Sequence, residues 1–510
     1  MNRYHITKNG TPGVCKAKPG NCPLAGTNEH FDTKVEAEEF IQKKFESSYS
    51  VISKTKKLTR EQRELEVFNN VVDEIAEAGG DVFYVGGYVR DGILGKENKD
   101  IDVEIHNIEE SKVEKILARF GSVDLIGKSF GVLKIKGLDI DFAFPRTERK
   151  VGDNHVDFDV SVDPYLGPEA ASRRRDFTMN AIMKNVKTGE VLDPHNGVSD
   201  LKNGLIQLVD KDTFVEDPLR ALRACQFAAR FDMKISDEVI DVSKTMDYTN
   251  LSIERVDGEI KKAMFAPNPS KAFEGMLKMG VLDQLAPRLA QMKQIDQNPK
   301  FHPEGDVFNH TMMTIDMAAE LKSETDNPEA FMYAALCHDV GKVTSTQIQP
   351  DGRITAYGHD KAGVALVDET LDKLTRNKSN KKYIKAMTNA HMKAHKVTEM
   401  KDSKVRKLMT EVNVKELMLL AVCDSNRGTG IEDAKKRENY YEAMQRFESL
   451  SQGEPYKIIP FVKGQDLIDM GAKPGPKIGQ ILENLFNDQI AGNSEEKIRN
   501  RAKKLASNSK

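Results

Sequence analysis

The apolar positions of this chain change period along its length. From Thr59 to Ala78 they recur at helical spacing, through Leu65, Phe68, Val71, Val72 and Ile75, and Gly79 and Gly80 close the run. The stretch Tyr84–Ile105, YVGGYVRDGILGKENKDIDVEI, then predicts a short apolar strand, a Gly-Gly turn, a helix and a second strand. Further strands are expected at Val123–Ile126, Val132–Ile135 and Leu138–Phe144, with a helix over Ile108–Phe120. Beyond Pro168 the pattern becomes almost wholly helical, broken by turns at DPHNG (193–197) and APNP (266–269). The expected fold class is α+β: an α/β head with a mixed sheet, followed by a mostly α-helical neck, body and tail. Ahead of all this, residues 1 to about 55 are rich in Gly, Pro, Asn and Lys up to Asn28. They then predict an amphipathic helix over Lys34–Phe45, a small appendage of no assigned role.

Composition narrows the class. A chain of 510 residues accommodates roughly three or four domains of about 100–200 residues each. With 39% hydrophobic and 30% charged residues it reads as an ordinary globular protein. The net charge of −3 means that any nucleic-acid site must be a local basic face. Lys497–Lys510 carries six basic side chains and no acid, a tail that is either solvated or set against phosphate. The five cysteines (Cys15, Cys22, Cys225, Cys337, Cys423) are scattered and odd in number, which argues for a reducing compartment and no disulfides. Cys15 and Cys22 with His5 and His30 lack a tight Cys-x-x-Cys pair and are read as a loop with free thiols, not a zinc site. No apolar run is of signal-peptide type or reaches the roughly 20 residues that span a bilayer. A cytoplasmic protein without a membrane partner is therefore expected; oligomeric state has no signal in the sequence.

Chemistry concentrates first around the Gly-Gly turn. Residues two apart on a strand share a face, so Asp100 and Asp102 can present two carboxylates to one cation, and hard oxygen ligands suit magnesium. Gly86 and Gly87 allow close backbone approach, and the helix start that follows offers free N–H groups to a triphosphate. Asp139 and Asp141 form a second alternating pair on a later strand, and a neighbouring strand would bring one of them beside the first pair. Three carboxylates holding two magnesium ions suit an in-line displacement at phosphorus with pyrophosphate leaving, that is, nucleotidyl transfer.

The ordered motifs GGYVRD, KDIDVE, DIDFAFPR, RRRDFTMNAI, DPHNGVSDL and FVEDPLRALRACQFAARF resemble those of the class II CCA-adding tRNA nucleotidyltransferases and the related bacterial poly(A) polymerases, from about Phe83 onward. The resemblance implies that Asp100 and Asp102 are the metal-binding pair, with Asp141, five residues before Arg146, as third carboxylate. It implies that Gly86, Gly87 and Arg90 cradle phosphate, and that Arg174, Arg175, Asp176 and Asn180 hold the sugar and triphosphate of the incoming nucleotide. Asp217 and Arg220, three apart on an expected helix, would read the Watson–Crick edge of one base, cytosine and then adenine, with Arg223 a further nucleotide contact. Gln226 stands where relatives often carry a basic residue. The segment FVKGQDLIDMGAKPGPKIGQILENL resembles the family's tail, in which Lys473 and Lys477 beside two helix starts would meet an RNA backbone.

A second constellation follows. FHPEGDVFNHT supplies His310, AALCHDVGK supplies His338 and Asp339, and LLAVCDSNRGTG supplies Asp424, the ligand set of the HD metal-dependent phosphohydrolases that this region resembles. Helices would present these groups around one or two divalent cations that generate hydroxide near neutral pH. His359, His391 and His395 lie nearby; each is a candidate for a further ligand or substrate contact, with a polar surface histidine the favoured reading. The resemblance implies phosphatase or 2′,3′-cyclic phosphodiesterase activity linked to CCA addition. The expected domains are 1–57 appendage, 58–185 nucleotidyltransferase head, 186–300 neck and body for nucleotide selection and tRNA binding, 301–435 HD domain and 436–510 RNA-binding tail. The expected partners are tRNA, CTP and ATP, with magnesium in the head and an unidentified divalent metal in the HD site. Two competing readings are a poly(A) polymerase and an HD phosphohydrolase whose head only binds RNA; the intact carboxylates oppose the latter.

Overall fold

A computed structural model of the protein defines residues 4–6, 12–14, 30–40, 59–126, 131–150, 158–425, 434–452 and 454–507. Cys15, Cys22 and residues 41–45 of the expected first helix lie outside them; residues 34–40 are helical. The chain divides into two compact units, Met1–Arg220 with Lys234–Val242, and Ala221–Met233 with Ser243–Lys510.

The first unit is built on a helix, α1 (Arg60–Glu77), that buries Val67, Phe68, Val71, Val72 and Ile75. Thr59 starts it with a capping box: its hydroxyl accepts from Gln62 N at 3.2 Å and its own N–H donates to Gln62 Oε1 at 3.0 Å. Leu65, counted in the apolar stripe, is exposed. The helix leads into β1 (Asp81–Val85), α2 (Gly87–Ile93), β2 (Ile101–His106), α3 (Glu110–Leu117), β3 (Val123–Ile126), β4 (Val132–Ile135) and β5 (Ile140–Ala143). Strands β2 to β5 match the sequence pattern within two residues at each end, and β1 begins three residues before the expected Tyr84.

Two further strands, β6 (Met183–Asn185) and β7 (Val191–Leu192), come from the stretch that the apolar pattern reads as almost wholly helical. They complete a seven-stranded sheet of order β7-β6-β1-β2-β5-β4-β3, in which β2 and β5 are parallel and the other neighbours antiparallel. The sheet therefore takes its outer strand from beyond residue 185. Both added strands are too short to establish a period of two. Val103, Ile105, Phe142 and Phe144 pack with Phe68 and Ile75 of α1 into one core, which leaves the opposite face of β2 and β5 for polar groups. Residues 146–150 and 158–162 pair as a separate antiparallel ribbon.

Helix α4 (Leu219–Phe231) begins in the first unit and ends in the second. The second unit is helical, with α5 (Val307–Leu321), α6 (Pro328–Cys337), α7 (His359–Leu371), α8 (Lys381–Ala394) and α9 (Val414–Asp424). Short paired strands, Gln347–Ile348 and Ile354–Thr355, form a hairpin ahead of α7. The C-terminal helices Gly464–Asp469, Pro476–Ile490 and Glu495–Ser507 share a small core of Leu467, Leu485, Ile498 and Ala502. In the basic tail Lys497 donates to Asn493, Arg499 pairs with Glu495 and Arg501 with Asp488, so three of its cations are engaged within the chain. Cys225, Cys337 and Cys423 are buried free thiols. No helix among the described residues is long and apolar enough to cross a membrane.

Candidate active sites

In the head, the parallel register sets Asp102 directly opposite Asp141. Asp100 lies one residue ahead of β2 and is exposed. Lys134 of β4 reaches both Asp141 (3.1 Å) and Asp139 (3.2 Å), but Asp139 precedes β5 and its side chain is 85% exposed against 45% for Asp141. Burial pushes the Asp102 carboxyl above its ordinary pKa, Asp141 and Asp100 add to this, and Arg175 opposes it. A partly desolvated carboxylate whose charge two neighbouring carboxylates disfavour is an arrangement that a hard divalent cation would relieve, so these residues fit such an ion.

The face of β2 that carries Asp102 continues into Glu104, a residue not singled out from the sequence. Glu104 is buried, and its carboxylate receives Arg174 at 2.9 Å, the His106 ring at 3.1 Å and Arg175 at 3.7 Å. Burial alone would raise its pKa, but the His106 hydrogen bond and the guanidinium groups of Arg175 and Arg174 hold it down to about 2. The signal was available as the third carboxylate in the 100-102-104 alternation. Gly86, with φ of +65°, makes the turn before α2; a Cβ there would stand 3.4 Å from Arg175 Nη1 and 4.0 Å from Asp102 Oδ2. Turn, arginine and carboxylate thus meet at one point.

Arg90, Asp176 and Asn180 are placed differently. All three are buried and bond to one another, Arg90 Nη1 donating to Asn180 Oδ1 (2.8 Å) and Asn180 Nδ2 to Asp176 Oδ1 (2.9 Å). Arg90 is paired further with Asp91 at 2.7 Å. This network ties α2 to the 178–180 segment. Gly87 sits beside it, with Asn98 and Arg90 side chains within 3.5 Å of where its Cβ would be.

Asp217 stands ahead of α4, not on it, because Pro218 cannot donate in a helix and starts one instead. Its Oδ1 accepts from Leu219 N at 3.1 Å. Arg220, in the first turn, donates to the carbonyls of Thr213 (2.6 Å) and Arg174 (2.8 Å), which links the helix start to the RRRD segment. Arg223 falls in the second unit, its guanidinium over the Phe227 ring.

In the second unit the four expected ligands come together from α5, the end of α6 and α9. His310 Nε2 lies 2.9 Å from Asp424 Oδ1 and 3.8 Å from Asp339 Oδ2; His338 Nε2 lies 3.4 Å from Asp339 and 3.6 Å from Asp424. His359 and His391 are not surface residues: both are buried, with Nε2 atoms 3.2 and 3.6 Å from Asp339 Oδ1 and 3.1 Å from each other. His395 bonds Asp424 Oδ2 at 2.9 Å. In α8, His391 is buried on the same face as Ile384, Met387 and Ala394, and in α7 His359 is buried with Val367 and Leu371.

Each ring is aimed from behind. Nδ1 of His338, His359 and His391 donates to the carbonyls of Ala335 (2.8 Å), Ala356 (2.7 Å) and Thr388 (2.6 Å), while His310 Nδ1 is held by Glu304 at 2.8 Å. A carbonyl only accepts, so Nδ1 carries the proton and Nε2 faces inward; there it makes no hydrogen bond of normal geometry in His338, and a bound cation would take the place of any proton it holds. Burial disfavours charge on His338, but Asp339 and Asp424 outweigh it and lift its pKa to about 10; both carboxyls are held well below their usual range. Lone pairs and carboxylates converging in a buried space fit one or two divalent cations. Gly341 makes this possible, since a Cβ there would lie 1.9 Å from the His359 carbonyl oxygen. A cavity of about 600 Å³ opens onto the cluster, lined by His302, Asp339, Lys342, His359, His395 and Asp424 among others.

The chain is similar to known proteins over both regions. Residues 82–207 match the poly A polymerase head domain, residues 233–293 the "probable RNA and SrmB-binding site of polymerase A", and residues 307–426 the HD domain. A multifunctional CCA protein of Mannheimia succiniciproducens is 33% identical over 375 residues, 70% of this chain and 87% of that protein. One of Pasteurella multocida is 31% identical over 382 residues, 71% and 88% of the two chains. In three dimensions the chain is similar to the Bacillus stearothermophilus CCA-adding enzyme in complex with CTP (TM-score 0.57, 18% identity, 87% of this chain and 99% of that one). It is likewise similar to the Thermotoga maritima CCA-adding enzyme complexed with tRNA (TM-score 0.55, 20% identity, 92% and 98%). At these identities the two solved structures speak to the fold.

Proposed function

The chain belongs to the multifunctional CCA protein family, and on that premise we propose that it adds CMP, CMP and AMP to the 3′ end of tRNA, from CTP and ATP and without a nucleic-acid template. It is a nucleotidyltransferase with an HD domain behind its head. The observation that carries the proposal is the register pairing of Asp102 with Asp141 beside the Gly86 turn and Arg175.

The tRNA 3′ oxygen attacks the α-phosphorus of the bound nucleotide; the new P–O bond forms as the bond to pyrophosphate breaks, and the hydroxyl proton passes to solvent. Asp100, Asp102 and Asp141 would hold magnesium, which when bound favours the attacking alkoxide and offsets charge at phosphorus. Arg174 and Arg175, anchored on Glu104, face the triphosphate, and Gly86 lets it approach the backbone. Arg90, Asp176 and Asn180 keep that wall rigid. Asp217 and Arg220 select the base from the start of α4, where the Arg220 bonds to backbone fix the geometry against the RRRD segment.

In the second site His310, His338, Asp339 and Asp424, with His359 and His391 as further ligands of Asp339's metal, would hold divalent cations for hydrolysis of a 2′-phosphate or 2′,3′-cyclic phosphate. A cyclic phosphate leaves the tRNA no free 3′ hydroxyl; water breaking its P–O3′ bond frees that hydroxyl and leaves a 2′-phosphate, which a second hydrolysis releases as inorganic phosphate. The buried reduced thiols accord with work in the cytoplasm.

The decisive experiment supplies tRNA ending before CCA with CTP, ATP or both. Two residues added with CTP alone and three with both are expected; long adenosine tails would assign the head to poly(A) synthesis instead.

A further inference from the structure

The HD cavity changes character from floor to mouth. Its floor is ionic, with Asp339 and His359 buried and Asp424 partly so, and its wall carries the cations Lys342 and Arg353. Lys342 donates to Gln297 at 2.7 Å and pairs with Asp339 at 2.6 Å, so its ammonium is fixed at the inner end. The mouth is apolar and aromatic: Phe301 is 50% exposed, Tyr357 83% and Met392 39%. Ions and phosphate have no use for rings held in water. At about 600 Å³ the cavity lies within the range of small-molecule sites, about 300–1,000 Å³, and exceeds what a phosphate requires.

Both rings are tied to the ionic floor through the backbone. Phe301 sits in a turn closed by hydrogen bonds from Phe301 N and His302 N to Asn298 O (3.0 and 2.9 Å) and from Gly305 N to His302 O (3.1 Å). The same turn carries Glu304, the carboxylate that holds His310. One face of the Phe301 ring already takes a cation, Lys300 Nζ at 5.6 Å from its centre. Tyr357 lies two residues before His359, joined to it by Gly358 in a left-handed turn (φ +76°). A ligand gripping both ends would span a fixed distance between an aromatic clamp and a metal-binding cluster. A base linked through ribose to a 2′- or 3′-phosphate has that form, and bases stack on aromatic rings regardless of sequence.

We infer that the mouth of the HD cavity is a nucleobase subsite, in which Phe301 and Tyr357 stack the base of a nucleoside whose 2′- or 2′,3′-cyclic phosphate lies against the His–Asp cluster. This rests on the phosphohydrolase reading of that site and adds the two side chains that hold the base of its substrate.

The test compares hydrolysis of adenosine 2′,3′-cyclic phosphate with that of glycerol 1,2-cyclic phosphate, which has no base, by the full-length enzyme and its Phe301→Ala and Tyr357→Ala variants. Each variant should raise KM for the nucleoside substrate about 10-fold, with kcat little changed, and leave the glycerol substrate as it was; Phe301→Tyr and Tyr357→Phe should restore the wild-type KM. Equal effects on both substrates, or none on either, overturn the subsite. Wild-type enzyme inert on both would instead remove the hydrolase reading. Calorimetric titration with adenosine 2′-monophosphate and inorganic phosphate then decides the subsite: nucleotide affinity that depends on Tyr357 while phosphate affinity does not supports it, and unchanged nucleotide affinity refutes it.

Discussion

Asp102 and Asp141 face each other across the one parallel pairing of the head sheet. A parallel pair keeps in-register side chains on the same face, so a residue some 40 positions later joins the carboxylates of the KDIDVE strand without distortion of either strand. Asp139, two residues earlier and outside β5, pairs with Lys134 and is mostly exposed. Asp102→Asn and Asp141→Asn should therefore each reduce CMP incorporation by about 100-fold or more, while Asp139→Asn stays near wild type. Single-turnover incorporation of labelled CTP measures all three; a defect in Asp139→Asn as large as in Asp141→Asn would transfer the third-ligand role.

Glu104 gives a pH-dependent stability. Its folded pKa of about 2 lies below the 4.5 of an unperturbed glutamate, so ionisation favours the folded state. That contribution is complete above about pH 4.5 and is lost as pH falls toward 2. Glu104→Gln should cost on the order of 3 kcal/mol at pH 7, and the gap to wild type should close only below pH 4.5. Urea denaturation followed by circular dichroism at pH 7, 5 and 4 reads this out; a gap already shrinking between pH 7 and 5 would contradict it. The same variant should raise KM for CTP, because Arg174 and Arg175 lose their anchor.

Gly341→Ala should abolish HD hydrolysis while CCA addition continues. The added methyl carbon would lie 1.9 Å from the His359 carbonyl, so α7 must shift and take His359 away from Asp339. Parallel assays of cyclic-phosphate hydrolysis and tRNA extension on one preparation check this, and intact hydrolysis would show that the loop yields without moving the ligands.

Chelation should lower the melting temperature of the second unit and added divalent metal should raise it, since an ion at 100 times its dissociation constant adds about 2.7 kcal/mol to the folded state. His391→Ala should blunt the gain and Asp339→Ala should remove it, because Asp339 is the carboxylate approached by His310, His338, His359 and His391. Differential scanning calorimetry with and without metal is the measurement. A metal-induced rise undiminished in Asp339→Ala would place the ion elsewhere.

The sequence made the head legible wherever strands were long enough to alternate: β1 to β5 emerge from their apolar period, and the pairs Asp100/Asp102 and Asp139/Asp141 from residues two apart, with the choice of Asp141 over Asp139 resting on the family resemblance. It hid β6 and β7, which have three and two residues. Glu104 was passed over because a buried anchor and an exposed ligand look alike in a strand of alternating acids. In the second unit His310, His338, Asp339 and Asp424 stood out by motif, whereas His359 and His391 sit in helices whose burial depends on partners far away in sequence. Asp217 and Arg220 illustrate a different limit: spacing predicts a shared helix face, but Pro218 sets where the helix begins.

The Gly341 contact also bears on which metals the HD cluster accepts. Side chains bend to suit an ion, whereas the backbone of residue 341 abuts that of residues 359 and 363 and cannot draw closer. The separation of Asp339 from His359 is thus gauged by main-chain atoms, as by a mechanical stop. An ion held between these two side chains, as proposed, would have to fit a spacing that the side chains alone do not set, so a residue that never touches the ion would take part in selecting it by size.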